Sequence, residues 1–498
     1  MPFGPVTFYV QALFFRVVGV SWTSMVLPAC LFNTIAVLSV IRMIRLLSGG
    51  MRLLALCGGL ATAVCFQAPF GTLWLEQTAM FFDLVALCAI VESFRSQGYG
   101  RILWQLWCGV SLILSALSKQ NYGLLFVPIV FALLAAAELP DLRRTYRSVL
   151  VTGAGTLVAS FVFLSWMWMF SDVPSFIHEV LVVAGEIGRS RATPRVIVNA
   201  FTFDEVPNLF QIDLIGFFAG VVALPLACSS LLIKGSDRRV WREIAPACAL
   251  AIALPWYRSL TQAITSNDWQ NNFAFVGLAV CLGVSLMFRI FDYVTLVPMP
   301  NCVTLKLPSA WSLKISLSVI VGMWGFVTLL YQVDGAWMRT IQEFDRRTRF
   351  DDTVHVLGME RVRWGDPTPI GATTPLRKAD FENLTSYLIT KSKPFFIMGD
   401  SSMLYGLLRT RSPQPLLYFL PSHSFLKEEV PRLDEIILAA LERNRVTIVV
   451  REKATFLSAV HDAYPQFPRT WDWFESHFAH ASDFGNYEVW EWKSGGEK

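Results

Sequence analysis

Lysine is almost missing from the first 300 residues of this 498-residue chain, where only Lys119 and Lys234 occur. Charged residues of all kinds make up 16% of the sequence against 54% hydrophobic, and the mean hydropathy is +0.47. That balance lies outside the range of soluble globular domains and leaves a membrane protein. Cysteine is absent after Cys302, so the tail holds no disulfide framework. Histidine is scarce as well, with five of its six copies in the tail, where "HFAH" (His477, His480) has no cysteine partner and reads as a surface helix rather than a metal site. No cofactor is expected, although a divalent metal is left open. A net charge of only +4 gives no basis for a nucleic-acid partner.

What the chain has in quantity is apolar runs. At about 20 residues per bilayer crossing, ten spans are expected near 25–46, 52–69, 74–93, 104–118, 121–137, 149–170, 212–233, 244–259, 271–290 and 313–331. Their loops are asymmetric in charge. Fifteen Arg and Lys residues fall on one side, from Arg42 to Lys314, and six on the other: Arg16, Lys119, Arg189, Arg191, Arg195 and Arg258. Positive charge collects on the cytoplasmic side, so residues 1–21, the loop 171–211 and everything after 331 are expected to face outward.

Lys119 then lies at the outward tip of a hairpin, between the spans 104–118 and 121–137, where it is expected to be wet and to contribute little packing. Such a lysine either snorkels to the headgroups or, with the adjoining Gln120, binds an anionic group presented from the outer leaflet. The outward loop reads "GEIGRSRATPRVIVNAFTFDEVPNLF", too polar to span and too long for a plain connector. It is expected to act as a lid, in which Arg189 and Arg191 either fork onto phosphate oxygens or dock on anionic lipid.

Carboxylates inside the membrane half are costly, and each is a functional candidate. In "LWLEQTAMFFDLVALCAI", Glu76 and Asp83 are seven residues apart on one helical stripe. Glu76 is placed to meet a hydroxyl-bearing substrate, and Asp83 to tie its helix to a neighbour by a hydrogen bond. The outward turn "RSLTQAITSNDWQNNF" adds Asp268, Trp269, Gln270 and Asn271, a set that suits a sugar ring and equally an ordinary interfacial turn.

After residue 331 the pattern changes. "PFFIMG", "PLLYFL", "RVTIVV" and "YEVWEW" read as strands, and "RLDEIILAALERN" and "TFLSAVHDAY" as helices, which together make a small α/β domain. "MGDSSMLYG" stands at a strand-to-helix turn whose amides could hold an anion. The expected architecture is a polytopic α-helical membrane bundle of about ten spans with a C-terminal extracytoplasmic α/β domain. It divides into an outward amphipathic helix (1–21), a transmembrane domain (22–331) and a soluble domain (332–498).

Three stretches carry a family likeness. "PFGPVTFYVQALFFRVVGVSWTS" resembles the outward amphipathic helix of GT-C type glycosyltransferases, the polytopic enzymes related to protein O-mannosyltransferases and the lipid A aminoarabinose transferase. Pro2, Gly4, Pro5 and Tyr9 match its entry, and Gly19 the small residue that ends it. "LSALSKQNYGLLFVP" is similar to the family's lysine hairpin, and "FFIMGDSSMLYGLLRTRSP" to the tail of bacterial members.

The resemblance implies transfer of a sugar from a polyprenyl-phosphate lipid to an extracytoplasmic acceptor, whether envelope lipid, glycan or protein, by an enzyme of the bacterial inner membrane surrounded by membrane lipids. It places cations around the leaving phosphate, with Lys119, Gln120, Arg189 and Arg191 as candidates, and Trp269, Gln270 and Asn271 at the sugar or acceptor. The family's general base lies in an acidic loop just before the Gly-Pro helix, upstream of Met1. The expectation is therefore that a first span and its acidic loop are missing, and that within the present sequence Glu76 or Asp268 would have to serve as base. Two rival readings are a membrane transporter for an anionic or lipid-linked solute, for which inverted repeats would be expected, and a non-catalytic partner in envelope glycan assembly.

Overall fold

The computed structural model describes residues 4–66, 73–139, 141–170, 214–232, 238–265, 274–296, 376–399, 401–413, 427–453 and 467–493, with shorter stretches between 173 and 202 and between 352 and 364. Among these residues the chain begins with α1 (Val6–Val18) and continues through α2 (Trp22–Leu47), α3 (Arg52–Cys65), α4 (Leu75–Arg95), α5 (Gly98–Ala116), α6 (Gln120–Glu138) and α7 (Leu142–Phe170). Three more long helices follow, Leu214–Leu232, Arg238–Thr265 and Val276–Leu296. A helix thus lies under nine of the ten expected spans, while 313–331 falls outside the described residues. Among the described residues four helices, Thr23–Leu47, Leu75–Arg95, Gln120–Glu138 and Leu142–Met169, are long and apolar enough to cross a membrane by length and composition. The molecule is a membrane helical bundle.

Its core explains the arrangement. α4 is buried on nearly every side, including Ala79, Met80, Leu84, Leu87 and Ile90, because α2, α5 and α6 all pack on it. α7 lies at the rim, with Leu157, Phe161 and Trp168 exposed where lipid would cover them. Small residues admit close helix approach, and an added Cβ on Gly155 of α7 would stand 2.3 Å from the Leu106 carbonyl of α5.

The two ends of the bundle differ chemically. At one end Arg42 pairs with Glu92, Arg101 and Arg144 both pair with Glu138, and Arg95 and Arg289 donate to the carbonyls of Leu46 and Leu47 at 2.8 and 2.9 Å. Those two guanidiniums satisfy carbonyls that the last turn of α2 leaves open. At the other end α1 crosses the bundle. The Val6 amide donates to the Leu117 carbonyl at 3.2 Å, Tyr9 meets Trp166 edge to face at 4.8 Å between centroids, and Gln11 Nε2 donates to the Ser24 carbonyl at 2.8 Å.

The C-terminal part holds a short antiparallel pair, β1 (Asp352–Thr353) and β2 (Arg363–Trp364), and a four-stranded sheet. The sheet contains β3 (Phe395–Met398), β4 (Ile448–Glu452), β5 (Phe478–Phe484) and β6 (Tyr487–Trp492), in the order β3-β4-β6-β5. β3 runs parallel to β4, with Phe395 opposite Ile448, and the remaining pairs are antiparallel. Alternate side chains go to opposite faces. Phe395, Ile397, Ile448 and Val450 pack with Phe381, Leu384 and Leu388 of the helix Lys378–Lys391. Phe396, Met398 and Val449 pack with Ile437 and Leu441 of the helix Val430–Arg443.

Strands buried on both faces read as continuous apolar runs, which is why "PFFIMG" and "RVTIVV" were legible, while "RLDEIILAALERN" shows the helical period, burying Ile437, Ala440 and Leu441. "PLLYFL" and "TFLSAVHDAY" lie outside the described residues. "HFAH" corrects the expectation of a surface helix: His477 ends the helix Pro468–His477, and His480 lies in β5. His178 Nε2 lies 2.8 Å from Glu429 Oε1, which joins the segment after α7 to the C-terminal part.

Candidate active site

Lys119 is not wet. It is 9% exposed and forms an ion pair with Glu76, itself 3% exposed. The hairpin expectation fails because the tip is roofed by α1 and backed by α4. Gly4 lies so close to the α5–α6 junction that an added Cβ would stand 1.7 Å from the Leu117 carbonyl oxygen. The two motifs quoted for the family likeness, the Gly4-Pro5 entry and the lysine hairpin, are therefore neighbours in space.

Backbone geometry sets the local field. Lys119 is the N-cap residue of α6, in extended conformation, and its carbonyl accepts from the amides of Tyr122 and Gly123 at 3.1 and 3.3 Å. Glu76 sits in the first turn of α4. Two helix N-termini thus supply positive potential where the carboxylate lies, and the Lys119 ammonium adds a full charge. The same ammonium stands 5.4 Å from the Tyr122 ring centroid, a cation–π distance. Such a place favours an anion, and in this structure the anion is the Glu76 carboxylate. Gln120, the first residue of α6, is buried beside the pair at 6% exposure.

About two turns further along α4, Tyr257 of the helix Arg238–Thr265 donates to Asp83 Oδ2 at 2.7 Å and lies 3.3 Å from the Tyr122 carbonyl. This is the tie that the sequence suggests for Asp83. It locks α4, α6 and a helix more than a hundred residues away into one layer beneath the Lys119–Glu76 pair. Sequence reasoning missed Tyr257 and its neighbour Arg258, which is buried at 3% exposure. The signal was an arginine inside "IALPWYRSL", a polar residue that an apolar helix keeps only for a purpose.

Arg189 is exposed. Arg191, Asp268, Trp269, Gln270 and Asn271 lie outside the described residues. Among the described residues no cluster of His, Cys, Asp and Glu has the makings of a metal site. The turn in "MGDSSMLYG" already has its anion, since the Ser401 amide donates to Glu452 Oε1 at 2.8 Å. An internal carboxylate occupies the amide that the sequence offered to a ligand.

Residues 2–168 match the model of the dolichyl-phosphate-mannose-protein mannosyltransferase family. Two solved structures of ArnT from Cupriavidus metallidurans are similar to the chain. The apo form shows 14% identity and a TM-score of 0.44, covering 98% of this chain and 87% of that one. The form bound to undecaprenyl phosphate shows 13% identity and a TM-score of 0.45, covering 99% and 88%. No curated protein matches the chain. The match spans residues 2–168, about a third of the chain, and that segment, which holds Gly4, Pro5, Glu76 and Lys119, is similar to the glycosyltransferases of the mannosyltransferase family.

Proposed function

We propose that the chain transfers a sugar from a polyprenyl-phosphate donor to an acceptor outside the cytoplasm, with Lys119 meeting the donor phosphate. One observation carries this reading: a lysine–glutamate pair buried under the Gly4-Pro5 helix, at the end of the bundle opposite the arginine-rich end, inside the segment that matches the mannosyltransferase family. A lone surface cation needs no such housing. The fifteen-to-six asymmetry of positive residues supports an outward placement for the Lys119 end. The contact of His178 with Glu429 supports the same side for the C-terminal part.

The chemistry follows from competition for one ammonium. In the resting pair, Glu76 neutralises Lys119. When a lipid phosphate arrives, the ammonium and the α6 N-terminus favour it over the carboxylate, because it presents more oxygens to the same donors. As the anomeric C–O bond to phosphate breaks, negative charge grows on the phosphate oxygens and Lys119 stabilises it. Glu76, released from the ammonium, takes the proton of the attacking acceptor hydroxyl. Arg189 and Arg191 belong to the loop that would close over the phosphate, and Trp269, Gln270 and Asn271 to the sugar or acceptor side. Asp268 is the alternative base.

The test is transfer of labelled sugar from polyprenyl phosphate in reconstituted vesicles, comparing parent with Lys119→Gln. The half-saturating donor concentration should rise about tenfold or more, the worth of one charge-assisted contact. Unchanged donor dependence in the variant would leave Lys119 as a purely structural partner of Glu76.

A further inference from the structure

At the arginine-rich end of the bundle, far from Lys119, a cavity of about 520 Å³ opens between α5 and α7. Its wall includes Arg101, Gln105, Arg144, Arg147 and Ser148. We propose that it binds the phosphodiester headgroup of an anionic phospholipid from the adjoining leaflet.

Charge comes first. Arg101 and Arg144 share a single carboxylate, that of Glu138, and Arg147 has no ion-pair partner among the described residues. Three guanidiniums against one carboxylate leave an excess of two positive charges in one concave site. A phosphodiester carries one negative charge and accepts bidentate guanidinium contacts.

Hydrogen bonding gives a second, independent argument. Ser148 is 1% exposed, and its Oγ accepts from Arg101 Nη2 at 2.8 Å and from Gln105 Nε2 at 2.9 Å. With both acceptor positions used, its hydroxyl proton has no acceptor among the described residues, and Ser148 lines the cavity. A phosphate oxygen would supply one.

The surroundings decide between a lipid and a soluble phosphate. Tyr99 at the cavity mouth is 87% exposed, and Leu103, Tyr146 and Leu150 on the same two helices are 65, 66 and 52% exposed. This apolar and aromatic skirt continues along the outer face of α7, where acyl chains would run. Basic pockets between membrane helices recognise anionic headgroups in this way. α5 connects the cavity to the Lys119 hairpin, so an occupied cavity would also brace the helix that ends at the site. The inference itself stands apart from the donor reading.

The experiment is native mass spectrometry of the purified full chain with equal amounts of phosphatidylglycerol and phosphatidylcholine. The parent should retain phosphatidylglycerol about tenfold over phosphatidylcholine, and Arg147→Gln should reduce that preference severalfold. Arg147 is exposed and unpaired among the described residues, so its replacement leaves the bundle intact. Equal retention of both lipids by the parent, or an undiminished preference in Arg147→Gln, would overturn the proposal. Displacement of phosphatidylglycerol by millimolar glycerol 3-phosphate would also overturn it, since the ligand would then be a soluble phosphate ester.

Discussion

The amide of Val6 donates to the carbonyl of Leu117 at 3.2 Å, two residues before the buried lysine. This bond stitches the amphipathic helix to the hairpin and leaves Gly4 with no room for a side chain. Gly4→Ala should therefore lift α1 off the hairpin tip. The expected result is a loss of transfer activity of at least tenfold, with an apparent thermal midpoint close to that of the parent, because the bundle core beneath is untouched. Transfer assays run beside thermal unfolding separate the two effects.

Tyr257 and Asp83 make the deep tie. Replacing Tyr257 by Phe removes the donor and leaves a buried carboxylate short of a partner, which costs about 1–3 kcal/mol. Asp83→Asn keeps an acceptor for the phenol and should cost less. The measurement is the apparent thermal midpoint of the purified chain, and the expected order of stability is parent, then Asp83→Asn, then Tyr257→Phe.

Much of this was legible in the sequence, for identifiable reasons. Helices lie at nine of the ten expected places because long unbroken apolar runs are easy to read from sequence. Lys119 stood out because lysine is so rare around it. Glu76 stood out too, as a carboxylate in an apolar run, but its pairing with Lys119 did not, because the two are 43 residues apart and an ion pair between helices leaves no periodic trace. Burial of Lys119 was missed for a similar reason: the roof over the hairpin comes from α1. β5 escaped notice because it is the edge strand, exposed at Ala479, His480 and Ala481, so it carries too few apolar residues to show an alternating pattern.

The C-terminal sheet offers a titration. Glu491 of β6 accepts from Lys391 Nζ at 2.6 Å and from the Tyr387 hydroxyl at 2.5 Å, and these bonds, Lys391 first, hold its carboxyl below the usual carboxylate range. A carboxyl lowered in the folded state stabilises the fold above its unfolded value, about 4.3 for Glu. That contribution is lost as the pH falls through the folded value. Glu491→Gln should reduce hydrogen-exchange protection of β6 at neutral pH, and the parent-to-variant ratio should approach one as the pH falls through the lowered folded value.

Charge asymmetry makes a prediction about sidedness. Alkaline phosphatase fused after Lys498 should be active in bacterial cells, since the proposal puts the C-terminal part outside the cytoplasm. Activity from a cytoplasm-only reporter at the same position would reverse the assignment.

The central claim is that Lys119 holds the donor phosphate while Glu76 takes the acceptor's proton. The most direct measurement is steady-state transfer by Glu76→Gln across a range of donor concentrations, with folding checked by the thermal midpoint. The amide keeps the shape of the carboxylate but neither competes for the ammonium nor accepts a proton. The account predicts that kcat falls by about 10² to 10⁴ while the half-saturating donor concentration stays level or drops. A parental kcat combined with weakened donor binding would contradict it, for Glu76 would then serve only to hold Lys119 in place.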